Sequence, residues 1–209
     1  MVWDFLKDEI EPRISGRARI VMTMAMVGIL TGLVSSLPTP LPSIRLEEDG
    51  LILNTASSPL HAGVAFALGI AGCMWVWVSR DAGKCLLTAV LVFLGWLAAV
   101  NTANDLYQIL LGSEVFGIET GAKQGREAIG LLIGGVAAGG VGASLAAFGA
   151  GIPAKAIRRP ENWVLIVAAG AAAGMMLYPA ASLQLPYLIF VPWQALVAAT
   201  IGFGLTRRA

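Results

Sequence analysis

Six stretches of the chain, at about 20–37, 59–78, 85–104, 128–150, 163–181 and 187–205, stay apolar long enough to cross a bilayer as helices. Polar residues gather in the connections between them. Those connections are too short to hold a soluble domain, so residues 1–209 read as a single transmembrane domain. The expected fold class is an all-α polytopic membrane protein with six transmembrane helices.

The fourth run is ordered at a finer level. Every fourth residue from Gly130 is small: Gly130, Gly134, Ala138, Gly142, Ala146 and Ala150. A neighbouring row runs Gly135, Gly139, Ala143, Ala147 and Gly151, while Ile129, Leu132, Ile133, Val136, Val141, Leu145 and Phe148 occupy the other side. In water each interior glycine would cost a helix about 1 kcal/mol relative to alanine. In lipid the backbone must satisfy itself, so the helix forms anyway and small rows let other helices approach. This span is therefore expected to be the central packing helix, with Gly130, Gly134, Gly135, Gly139 and Gly142 facing a neighbouring span or a second subunit. Gly170 and Gly174 mark a similar seam in the fifth run.

Shorter patterns flank the runs. In residues 1–14, Val2, Trp3, Leu6 and Ile10 share one helical side and Asp4, Lys7, Asp8 and Glu11 another, which predicts an interfacial helix ended by Pro12. Its acidic balance is unusual for a lipid-binding helix, because anionic headgroups would repel it, so docking on the protein's own loops or on a partner chain is the competing reading. Arg17 and Arg19 before an apolar run resemble a signal peptide, yet the run is long and no A-x-A site follows, so a retained span is expected. In residues 44–53 two extended runs flank Asp49-Gly50, predicting a small external β-hairpin. Glu47, Glu48 and Asp49 lack calcium-loop spacing and read as a solvated turn. Pro192 falls inside the sixth run and is expected to kink it.

Charge sets the threading. Only 13% of the 209 residues are charged, about half the usual share in soluble domains. With the N-terminus inside, Lys7, Arg13, Arg17, Arg19, Arg80, Lys84, Lys155, Arg158, Arg159, Arg207 and Arg208 are cytoplasmic, and only Arg45, Lys123 and Arg126 are external. The positive-inside rule thus predicts six spans with both termini cytoplasmic, in a bacterial or archaeal plasma (inner) membrane. On that threading Cys73 and Cys85 see no oxidising compartment, and no disulfide is expected.

Candidate chemistry is sparse. No charged residue lies near the middle of a span, which argues against an ion-coupled pump. Polar residues collect in the outer third, where His61, Asn101, Asn104, Asp105 and Gln194 are expected to line a vestibule open to the outside, with His61 and Asp105 as a coupled pair. Ordinary clustering of polar groups near water is the competing explanation. Short echoes (Gly16-Arg17 with Gly125-Arg126, Pro59 with Pro160, Phe93 and Trp96 with Phe190 and Trp193) would fit a three-plus-three inverted repeat.

Gly142-Ala143-Ser144-Leu145 resembles the GxSx of rhomboid proteases, which also have six spans with the serine on the fourth. The resemblance covers four residues. The family's activating histidine belongs on span six, which here has none, so Ser144 is expected to bond its own helix backbone. Metal clusters, heme-ligating histidine pairs and phosphate loops are absent, and no cofactor is expected. No basic patch with interleaved aromatics supports nucleic-acid binding.

Two readings remain. The first is a channel or transporter-like protein for a small solute, homo-oligomeric if the glycine rows form a subunit boundary. The alternative is a non-catalytic subunit or scaffold of a larger membrane complex, docked through the N-terminal helix and the hairpin. An enzyme is not expected. The expected partners are the lipid bilayer and other membrane subunits or copies of the chain.

Overall fold

The computed structural model describes residues 16–38, 45–48, 51–54, 60–112 and 123–207. The predicted helix at 1–14 lies outside them. The elements are α1 (Gly16–Ser35), β1 (Arg45–Glu48), β2 (Leu51–Asn54), α2 (Leu60–Trp77), α3 (Ala82–Gly112), α4 (Lys123–Gly151), a 3-10 turn (Lys155–Arg158), α5 (Pro160–Gly174), α6 (Leu177–Leu183) and α7 (Tyr187–Thr206). Six helical segments, counting α5 and α6 as one, are long and apolar enough to cross a membrane. The chain is a multi-pass membrane protein. β1 and β2 pair antiparallel, Arg45 opposite Asn54 and Glu48 opposite Leu51, and β2 lies against α3. One end of the bundle therefore carries this ribbon, and the other carries Gly16 and Thr206.

The spans pack in chain order, each on the next, and α7 closes the circle on α1. The two most extensive contacts, α3 with α4 and α1 with α7, are both built on small residues. On α4 the two rows serve different neighbours. A β-carbon on Gly134 would stand 3.1 Å from the Ala103 carbonyl oxygen, and one on Gly142 3.1 Å from Ala99 Cβ, both on α3. From the adjacent row, Gly135 meets Gly174 and Gly139 meets Gly170 of α5, backbone against backbone. Ile133, Val136 and Phe148 point outward. Gly28 and Gly32 bring α1 onto Ala195 and Val191 of α7 in the same way. That pair sits four residues apart in the sequence and is the same signal, overlooked in α1.

The seams carry a few polar stitches. The Thr88 hydroxyl of α3 donates to the Gly149 carbonyl of α4 at 2.9 Å, with both groups buried. Ser144 donates to Gly140 of its own helix at 2.8 Å. Asp81 caps α3 by accepting from the Lys84 backbone N–H at 3.1 Å. Near the Gly16/Thr206 end, buried Asn162 donates to Ala156 and accepts from Arg207, joining the 3-10 turn, α5 and α7. Arg19 stacks over Trp77 and Arg80 over Trp75 at the same end, the pairing of aromatic and basic groups found at membrane interfaces.

The fifth span departs from the uniform helix expected over 163–181. It starts earlier, with Pro160 in its first turn, and breaks at Met175–Met176. Pro179 is the cause. It has no N–H for the carbonyl of Met175, and its ring would clash with that carbonyl. The chain answers with two tight bonds, Met175 N–H to Ala172 and Met176 N–H to Ala173, before α6 resumes. By contrast, α7 runs continuously through Pro192.

Candidate functional site

A cavity of about 990 Å³ lies between α3, α4, α6 and α7 in the half of the bundle nearer the ribbon. Its α3 wall is the stripe Trp96, Ala99, Val100, Ala103, Asn104 and Tyr107, spaced as one helical face. The α4 wall is Glu127, Leu131, Gly135, Ala138 and Gly139, and α6 adds Tyr178, Ala181 and Ser182. From Glu127 to Gly139 the helix rises about 18 Å. The small rows that bring α4 to its neighbours also keep this space unfilled, because alanine and glycine leave room between backbones.

Two tryptophans close the deep end. Trp193 donates its indole N–H to the Gly139 carbonyl at 3.3 Å and packs its ring on Phe66, 5.3 Å between centroids. Trp96 stacks on Phe93, and the Cδ2–Cε3 edge of its ring lies where a side chain on Gly63 would be. Beyond them Met24, Ile70, Ile166, Val197 and Ile201 are fully buried and fill the centre of the bundle. The cavity is thus blind towards the Gly16/Thr206 end.

Buried polar groups are unevenly satisfied here. Trp96 is 3% exposed, yet its indole N–H meets no acceptor. That donor is itself closed off from a water-sized group, so it is a buried orphan and not an open contact point of the cavity.

The five residues expected to form one vestibule are not brought together. Asn104 lines the cavity. Asn101, three residues earlier, donates to Leu97 of its own helix at 2.8 Å. Asp105 is exposed on the far side of α3. His61 turns to α1, its Nε2 3.1 Å from the Val34 carbonyl oxygen, and is not paired with Asp105. Gln194, fully buried, donates to the Ser35 hydroxyl at 2.8 Å, and its Oε1 has no partner. His61, Ser35 and Gln194 therefore belong to a separate polar contact among α1, α2 and α7. The five share a depth in the bundle but not a direction around it.

Among the cavity residues that escaped the sequence reading are Glu127, Tyr107, Tyr178 and the floor tryptophans Trp96 and Trp193. For Glu127 a signal existed. Counting back in fours from Gly139 gives Gly135, Leu131 and Glu127, so the carboxylate prolongs one of the two small rows.

Among the described residues no three His, Cys, Asp or Glu side chains converge as a metal site would require. Compared with known proteins, the chain matches no family model, no curated protein and no solved structure. What it does must be argued from the cavity.

Proposed function

We propose that the protein is a transporter-like membrane protein that takes a small solute into the cavity between α3, α4, α6 and α7. The observation that carries this is the cavity itself, walled by four helices beside the tightened turn of the fifth span. A short 3-10 tightening inside a helix often marks a functional hinge, and Met175–Met176, both still in right-handed helical geometry, lie between the cavity-lining residues Gly174 and Leu177. The positive-inside distribution supports placing the Gly16/Thr206 end in the cytoplasm of a plasma membrane, with both termini inside. The cavity then opens outward, and the ribbon of β1 and β2 caps the outer face. The Trp96–Trp193 floor is the barrier that a carrier would have to shift. The glycine rows are used up within one chain, which removes the reason for placing a subunit boundary there.

The alternative, a scaffold subunit, is separated by one experiment. Ala138→Cys, at the cavity floor, is made in a background where Cys73 and Cys85 are alanine and treated with a membrane-impermeant maleimide. A carrier reacts from both faces of the membrane. Reaction from the outer face alone makes the cavity a dead-end binding site, and reaction from neither favours the scaffold.

A further inference from the structure

A second hollow lies at the opposite end of the bundle from the cavity. It holds about 630 Å³ between the first turns of α1 and the last turns of α7, with Arg17, Val21 and Met22 on one side and Phe203, Thr206 and Arg207 on the other. From Arg17 to Met22 the helix rises about 7.5 Å, so both arginines sit at the rim and the apolar walls continue towards the middle of the membrane. Met22 is 54% exposed and Phe203 43%. On spans of a multi-pass protein such side chains border acyl chains.

The two arginines are held differently. Arg17 is exposed. Arg207 is tethered: its Nη1 donates to Oδ1 of buried Asn162 at 3.1 Å, and its guanidinium lies 5.5 Å from the centre of the Phe203 ring. An arginine that only snorkels to the interface needs no such tether. A guanidinium carries five N–H donors in a fixed fork that matches phosphate oxygens, and the bond to Asn162 uses one of them while fixing the group at the wall.

Charge and shape together select the occupant. Two cations at a rim attract an anion, and an apolar trough leading from them into the bilayer accommodates a chain attached to it. Free phosphate would use the rim alone. A zwitterionic lipid would bring its own ammonium group to two guanidinium groups. An acidic peptide would gain little from walls at acyl depth. A phospholipid of net negative charge uses both parts.

We infer that this hollow binds an anionic phospholipid, its phosphate between Arg17 and Arg207 and an acyl chain along Val21, Met22 and Phe203. The site stands apart from the carrier reading and does not depend on it. The full-length protein in detergent is heated with dioctanoyl phosphatidylglycerol, dioctanoyl phosphatidylcholine or inorganic phosphate at matched ionic strength. A ligand that binds only the folded state raises the unfolding temperature. A saturable rise is expected with phosphatidylglycerol. Arg17→Gln and Arg207→Gln should each weaken its apparent affinity about tenfold, Arg17→Lys should retain most of it, and the double glutamine variant should abolish the rise. Arg80→Gln, at the same end but outside the hollow, should behave as the wild type. Each rise is measured from that variant's own unfolding temperature, so the lost Asn162 contact in Arg207→Gln does not enter the comparison. An equal rise with phosphatidylcholine, or an equal loss in Arg80→Gln, overturns the site. An equal rise with inorganic phosphate overturns the lipid as its occupant. No rise in the wild type also overturns the inference; if one then appears with Asp4→Asn, Asp8→Asn, Glu9→Gln and Glu11→Gln combined, the chain's own acidic segment is the occupant instead.

Discussion

Gly170 of α5 lies so close to Gly139 of α4 that a β-carbon on Gly170 would sit 2.6 Å from the Gly139 carbonyl oxygen. Neither backbone can retreat without dragging its helix, because Gly135 and Gly174 make the same contact one turn away. Contacts of this kind replace the hydrophobic effect as the source of association in lipid.

Gly139→Ala should therefore destabilise the protein by about 1–3 kcal/mol through overpacking, and Gly139→Leu should prevent the bundle from assembling. Gly140→Ala is the control: its β-carbon would find ordinary contact at 3.8 Å from Ala171. Alanine there should be neutral or slightly favourable, given the helix propensity of about 1 kcal/mol. Thermal unfolding in detergent followed by size-exclusion chromatography checks both. Equal behaviour of the two variants would remove the packing role assigned to the Gly139 row.

The polar contact between Ser35 and Gln194 gives a second test. Among the described residues Ser35 is the hydrogen-bond partner of a fully buried amide whose Oε1 already lacks one. Ser35→Ala leaves that amide with neither bond, at a cost of about 1–3 kcal/mol. Gln194→Leu removes the stranded group with its desolvation penalty, so it should cost less than Ser35→Ala. The double variant should recover part of the Ser35→Ala loss. Additive losses in the double-variant cycle would mean that the two residues do not depend on each other.

These residues also mark how far the sequence could be read. Hydropathy located all six spans, since water must be excluded over a fixed length. The fourfold spacing of small residues located the α4 seams, because helix geometry makes that spacing a face. Gly28 and Gly32 carried equal information. What could not be read was direction around each helix at a given depth. Asn104 lines the cavity while Asp105, its neighbour, is exposed on another face, and only the partner helices decide which is which. The cavity lies beside the tightened turn before Pro179, and the place of that turn relative to α3 and α4 is a property of the packed bundle.

Asp81 supplies a pH prediction. The Lys84 backbone N–H, then its ammonium group, hold the Asp81 carboxyl below its usual value. A carboxyl whose folded pKa is depressed stabilises the fold above the unfolded value and loses that contribution as pH falls through the folded one. The wild-type protein should thus outlast Asp81→Ala on heating at neutral pH, and the gap should close only below the ordinary carboxylate range. Asp81→Asn, which can still cap α3, should keep much of the advantage without the acid dependence. A gap unchanged down to pH 2 would show that the charge contributes nothing.

The two floor tryptophans should respond differently to the same substitution. Trp193→Phe removes an indole N–H that donates to Gly139, whereas Trp96→Phe removes one with no acceptor in the protein. Both lose similar ring volume, so the difference isolates the hydrogen bond. Trp193→Phe should cost more by about 1 kcal/mol in the ligand-free protein, read as a larger drop in unfolding temperature. Removing an orphan donor also removes its desolvation penalty, which widens the gap further. Should Trp96→Phe prove the more damaging change, its N–H must find an acceptor in the empty protein. The contrast drawn between the two indoles would then be wrong.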